Sequence, residues 1–92
     1  MTYRIETVSS RIKRQLRRIP AADRQRIAEA LQPLVDDPRP PGARQLEPDV
    51  YRLRVGDYRI VYKVFDSEEM ILIGRIVRRS EVTYRGLRRL FE

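Results

Sequence analysis

VYRLRVGDYRIVYKVF, residues 50–65, is the stretch whose reading decides the fold. Large apolar residues alternate with cations on both sides of Gly56-Asp57, the pattern of a β-hairpin closed by a two-residue turn. Closure there pairs Val55 with Tyr58, Arg54 with Arg59, Leu53 with Ile60, Arg52 with Val61 and Tyr51 with Tyr62. Side chains alternate across a strand, so Tyr51, Leu53, Val55, Tyr58, Ile60 and Tyr62 share one face. Arg52, Arg54, Arg59 and Lys63 share the other, around Val61. Like charges directly opposite one another destabilise a sheet, so Arg54 facing Arg59 is a poor choice for folding alone and points to function.

Working outward, Asp66-Ser67-Glu68-Glu69 is a polar turn, and the β-branched run Met70–Ile76 is a further strand. A four-residue loop matches Phe65 with Met70 and, continued without interruption, Arg59 with Ile76. That register places Gly74, Ile76 and Arg78 on the arginine face, Ile71 and Ile73 on the core face, and Arg75 awkwardly toward the core. Upstream, Asp36–Pro48 holds four of the six prolines and reads as a loop. Before it, Val8, Ile12, Leu16 and Ile19 recur at helical spacing up to Pro20. A second helix starts near Ala22 with Ile27, Ala28, Leu31, Leu34 and Val35 as its stripe, and Pro33 should kink or shorten its last turn. The two helices form a hairpin whose stripes are core and whose Arg11, Arg14, Arg17 and Arg18 face solvent. Thr2–Glu6 alternates like a short strand, and Ser80–Phe91 has helical spacing with Ser80 as a possible N-cap.

The expected fold is α+β, in the order β-α-α-β-β-β-α, an antiparallel twisted sheet with a helical hairpin on one face and a C-terminal helix. The other face is expected to stay open. One domain, residues 1–92, accounts for the length. No apolar run could span a membrane, the N-terminus has no signal-like segment, and there is no cysteine, so a cytoplasmic protein is the default expectation. The net charge is +7, and 18 of the 20 basic residues are arginine, which binds phosphate bidentately and stacks on bases. RNA or DNA is the partner class this favours over a membrane surface.

RNA cleavage without a metal needs a base for the 2′-OH proton, cations for the charge that builds on phosphorus oxygens, and an acid for the leaving 5′-oxygen. The chain has no histidine. Arg52, Arg54 and Arg59 suit the phosphate clamp but not proton transfer. Nearby guanidinium charges lower a phenol pKa from about 10, which makes Tyr84 the best remaining base, with Glu81 and Glu47 behind it. Tyr84 also stands at helical spacing from Leu87 and Phe91, so a packing role fits it equally well. Scattered carboxylates without His or Cys argue against a metal centre, and no phosphate-binding glycine loop is present, so no cofactor is expected.

Arg44-Gln45-Leu46, then Tyr51–Tyr62, YRLRVGDYRIVY, a further strand and Arg78–Tyr84, RRSEVTY, together resemble the RelE/ParE superfamily of bacterial toxins over essentially the whole chain. The resemblance implies the toxin of a toxin–antitoxin module: a ribosome-dependent endoribonuclease that cuts mRNA in the A site and is held inactive by a cognate antitoxin. The ParE branch shares the fold and acts instead on DNA gyrase. Carried over by position, the RelE-like site falls at Arg52, Arg54, Arg59, Arg78 and Tyr84, with Lys63 and Arg79 as further RNA-binding cations. Arg79 is an alternative to Arg78, because Arg78–Tyr84 is one residue longer than the usual pattern. Relatives often have lysine at Arg52 and Arg54 and histidine at Val77. The implied partners are antitoxin, ribosome and mRNA, without membrane or small-molecule cofactor.

Overall fold

The computed structural model describes residues 2–78 and 90–91. The elements run β1 (Arg4–Thr7), α1 (Ser10–Arg18), α2 (Ala21–Leu31), a 3-10 turn (Gln32–Val35), β2 (Arg44–Glu47), β3 (Val50–Val55), β4 (Tyr58–Phe65) and β5 (Met70–Arg78). The expected helix over Ser80–Phe91 lies outside the described residues apart from Leu90 and Phe91.

The hairpin folds as its alternation dictates. All five expected pairs between β3 and β4 form, from Val55 with Tyr58 to Tyr51 with Tyr62. Gly56 takes φ +56°, the positive value a tight hairpin turn requires at that position. Tyr51, Leu53, Val55, Tyr58, Ile60 and Tyr62 are all buried, and they pack with Ile12, Ile19, Ile27 and Leu34 of the helical layer. Pro20 separates the helices and caps α2, while Pro33 converts the end of α2 into the 3-10 turn that buries Leu34. Ala28, expected on the apolar stripe, is exposed.

Three features differ from the sequence reading. The sheet has five strands in the order β1-β5-β4-β3-β2, and β1 runs parallel to β5, so the sheet is mixed and not wholly antiparallel. Nothing local to Thr2–Glu6 encodes the direction of a neighbour more than sixty residues away; Arg4 pairs with Met70 through contacts made only in the folded chain. Second, the end of the proline-rich stretch is a strand, because Arg44–Glu47 pairs with β3 once the last of the clustered prolines has passed. Third, the β4–β5 register shifts between Val61 and Tyr62. Tyr62 pairs with Ile73 and Val61 with Arg75, leaving Gly74 as the extra residue of a bulge. Arg59 therefore opposes Val77, not Ile76.

One extra residue reverses the faces beyond it. Ile76 pairs with Ile60 and joins the core, and Arg78 pairs with Tyr58 on the helix side, whereas Arg75 turns to the arginine face. Nor does the face opposite the helices stay fully open. Val50 and Val61 are buried there under Leu46, Leu90 and Phe91. Gly74 makes room for that cover: a Cβ at this position would stand 2.6 Å from the Phe91 ring. Among the described residues no helix is long and apolar enough to cross a membrane.

Candidate nucleic-acid interface

The strands β2 to β5 carry a single carboxylate, Glu47. Pairing sets their cations in rows on the face away from the helices. Arg44 opposes Arg52, Arg52 opposes Val61, and Val61 opposes Arg75, so three guanidinium groups share one line across the sheet. In the next line Arg54 opposes Arg59. Lys63 opposes Val50 nearer the far end of the hairpin, and its Nζ lies 5.2 Å from the centroid of the Phe65 ring.

The structure thus brings together Arg52, Arg54, Arg59 and Lys63. Glu47 stands on the same side, opposite Val50 at the β2 bulge. Arg78 is at the end of β5 on the helix side, where it borders a recess with Gln15, Arg18 and Tyr58. Arg79, Glu81 and Tyr84 lie outside the described residues. Two cations of the face escaped the sequence reading. Arg44 was hidden by the prolines around it, and RQLE, with one apolar residue, carries no strand pattern of its own. Arg75 was misassigned because Gly74, a glycine inside a strand and so a bulge signal, was counted as an ordinary position.

Arg59 is half-buried, and its Nη1 is buried without a hydrogen-bond partner. An unsatisfied buried donor costs about 1–3 kcal/mol, so this nitrogen adds nothing to the stability of the fold. A planar donor fork flanked by further cations can hold a phosphodiester and stabilise the charge of a phosphorane-like transition state. Among the described residues no group of His, Cys, Asp or Glu side chains is arranged to hold a metal.

A second polar cluster sits at one end of the sheet, and there a cation is met by carboxylates. Arg39, in the proline-rich loop, donates from Nε to the Tyr51 hydroxyl (2.8 Å), from Nη1 and Nη2 to Asp66 (3.1 and 2.8 Å), and from Nη2 to Asp49 (2.8 Å). The Tyr3 hydroxyl donates to Asp66 at 2.6 Å. Arg39 first, and Tyr3 second, hold the Asp66 carboxyl below the usual aspartate range. The same bond to Asp66, with some loss of solvation, raises the Tyr3 phenol. Tyr62, stacked on Tyr51 at 5.8 Å, donates to the Pro38 carbonyl at 2.8 Å, and burial is the main cause of its raised pKa. This cluster ties the loop to β1, β3 and the β4–β5 turn.

Comparison with known proteins gives a consistent family. Residues 7–83 match the model of the ParE toxin of the parDE type II toxin–antitoxin system. A chain of the archaeal RelE–RelB complex from Pyrococcus horikoshii is 28% identical, with TM-score 0.75 over 89% of this chain and 100% of that one. A mutant of the E. coli toxin RelE in the free state aligns with TM-score 0.78 at 22% identity, covering 97% of this chain and 98% of its own. The RelBE2 toxin–antitoxin complex of Mycobacterium tuberculosis gives TM-score 0.71 at 21% identity, over 88% and 95% of the two chains. No curated protein sequence matches at a significant level. With most of its length matched by the family model and its fold shared with RelE toxins, the chain belongs to the ParE toxin family of the RelE/ParE superfamily and is a toxin of the type II toxin–antitoxin kind.

Proposed function

We propose that this toxin is a RelE-like, metal-independent endoribonuclease of the cytoplasm that cleaves mRNA in the ribosomal A site and so inhibits translation, as in a stress response. The observation that carries this reading is the cation set on one sheet face, above all Arg59 with its unsatisfied, buried Nη1. In the reaction a base removes the 2′-OH proton, the 2′-oxygen attacks phosphorus, and the 5′-oxygen departs with a proton, leaving a 2′,3′-cyclic phosphate. Arg52, Arg54 and Arg59 hold the phosphate and stabilise its extra charge, with Arg44 and Arg75 widening the clamp and Lys63 and Arg79 binding flanking RNA. Tyr84 is the base in this scheme, with Glu81 and Glu47 as alternatives; because Arg78 is turned to the helix side, away from this phosphate, help to the leaving group passes to its alternative Arg79.

Relatives of this fold are solved as RelE–RelB and RelBE complexes, which supports a cognate antitoxin as partner. A net charge of +7 suits an acidic antitoxin segment. Co-expression with the product of an adjacent reading frame should yield a co-purifying complex.

The family match itself favours a second reading, a ParE-like toxin that blocks DNA gyrase by protein binding without cleaving RNA. Translating ribosomes and a supercoiling assay separate the two. The nuclease reading expects 5′ ends mapping to the A-site codon and unimpaired supercoiling; intact A-site mRNA with blocked supercoiling would replace it with the ParE reading.

A further inference from the structure

The helices differ in charge as well as in burial. In α2, Arg24 and Arg26 are balanced by Asp23 and Glu29. In α1, SRIKRQLRR, five cations stand with no carboxylate at all. Three of them, Arg11, Arg14 and Arg18, are spaced by three and four residues, so they stack along one stripe. Such like-charge neighbours oppose helix formation by about 0.2–0.5 kcal/mol per pair. All three are exposed, and with Gln15 they line a recess. Folding does not need this stripe.

The recess does not end at the helix. Gln15 also borders two further recesses between α1 and β5. One reaches Arg75, which opposes Val61 in the row of Arg52 and Arg44; the other reaches Arg78. Beyond Ile73 the edge of β5 has left β1, whose pairing stops there, so the strand forms one wall of this groove and α1 the other. The Gly74 bulge is what sends Arg75 over the sheet face and Arg78 to the helix side, one on each flank of that edge.

From this continuity we propose that the groove between α1 and the edge of β5 is a track for the phosphate backbone of single-stranded RNA, leading away from the sheet face. The proposal rests on RNA as the substrate, and it adds a binding surface that the cleavage chemistry does not require. A stripe of arginines along a groove follows a backbone of regular charge without reading its sequence.

The test is the salt dependence of binding to a labelled 2′-O-methyl oligoribonucleotide, which cannot be cleaved. Each lost phosphate contact lowers the slope of log affinity against log salt by about 0.7 for single strands. A variant with Arg11→Gln, Arg14→Gln and Arg18→Gln should lower it by about 2, while Lys13→Gln with Arg17→Gln, off the stripe, should lower it by less than about 0.7. An unchanged slope in the triple variant, or an equal loss per charge in both variants, would overturn the track. So would a triple variant that keeps RNA binding and loses only binding to an acidic peptide, since the groove would then serve a protein. If the triple variant fails to fold, the three single variants decide, each expected to shift the slope by about 0.7. Because the oligonucleotide is uncleavable, a protein that never cuts RNA sinks the nuclease reading and leaves this measurement intact.

Discussion

Arg39 and Arg59 are the same residue in opposite circumstances. Arg39 meets two carboxylates and a phenol through four hydrogen bonds, and a third of its side chain remains exposed. Arg59 is half-buried, faces another arginine and leaves a buried donor unsatisfied. The first closes a loop onto a sheet; the second raises the energy of the folded state, and under the proposed function an anion is what would satisfy it. Charge count does not separate the two, but the carboxylates around each do.

The contrast breaks most visibly in activity. Arg59→Ala should reduce ribosome-dependent cleavage by about 10²–10³-fold, the loss typical of one transition-state donor, with thermal stability unchanged or slightly raised. Primer extension on translated mRNA, alongside melting, checks both halves; a folded variant with full cleavage would remove Arg59 from the chemistry. Arg39→Ala is the mirror image. It should lower stability by about 1–2 kcal/mol, after discounting charge-assisted bonds for partial exposure, while cleavage by the folded fraction stays at the wild-type rate. Denaturant unfolding measures the first, and comparable loss of activity would merge the two clusters into one. A smaller effect sharpens the comparison: Arg54→Glu replaces a like-charge cross-strand pair with an opposite one and should stabilise the fold by about 0.2–1 kcal/mol while weakening cleavage.

The last prediction concerns pH. Asp66 is held ionised in the folded protein, so its contribution is complete above the unfolded aspartate value of about 3.9 and is lost as pH falls through the lower folded value. Tyr3 is shifted upward, so its share is complete below about 10 and is lost as pH rises through the folded value. The gap in melting temperature between wild type and Asp66→Asn should therefore be flat from about pH 5 to 9 and narrow at both extremes. A gap that stays constant into acid would mean that Asp66 is not held by these bonds.

How much of this was legible follows from the reach of each interaction. The hairpin and its register lie within one contiguous stretch, and alternation plus one glycine turn was enough to place every pair and both faces. The helical stripes were read from period alone, though not the exposure of Ala28, where a small side chain carries little signal. The parallel pairing of β1 with β5 depends on contacts between the two ends of the described chain and leaves no local trace. Arg52, Arg54 and Arg59 were recognisable as a set because their clash makes no sense for stability. Arg44 and Arg75 were not, since one strand is masked by prolines and the other is offset by a bulge. Arg39 gave no sign either: its partners Asp49, Tyr51 and Asp66 are brought together only when the sheet forms.

The bulge at Gly74 gives the gene one position of unusual tolerance within β5. β5 spans nine residues against the eight of β4, and the surplus is a single glycine codon. An in-frame loss of that codon would alter no charge and remove no side chain, and in an unbroken ladder it would leave Arg75 opposite Val61 and Ile76 opposite Ile60, so both faces would be kept. The surface offered to a polyanion is thus fixed by the pairs on either side of the bulge, and the glycine itself is the one residue of the strand that the ladder can spare without losing a side chain.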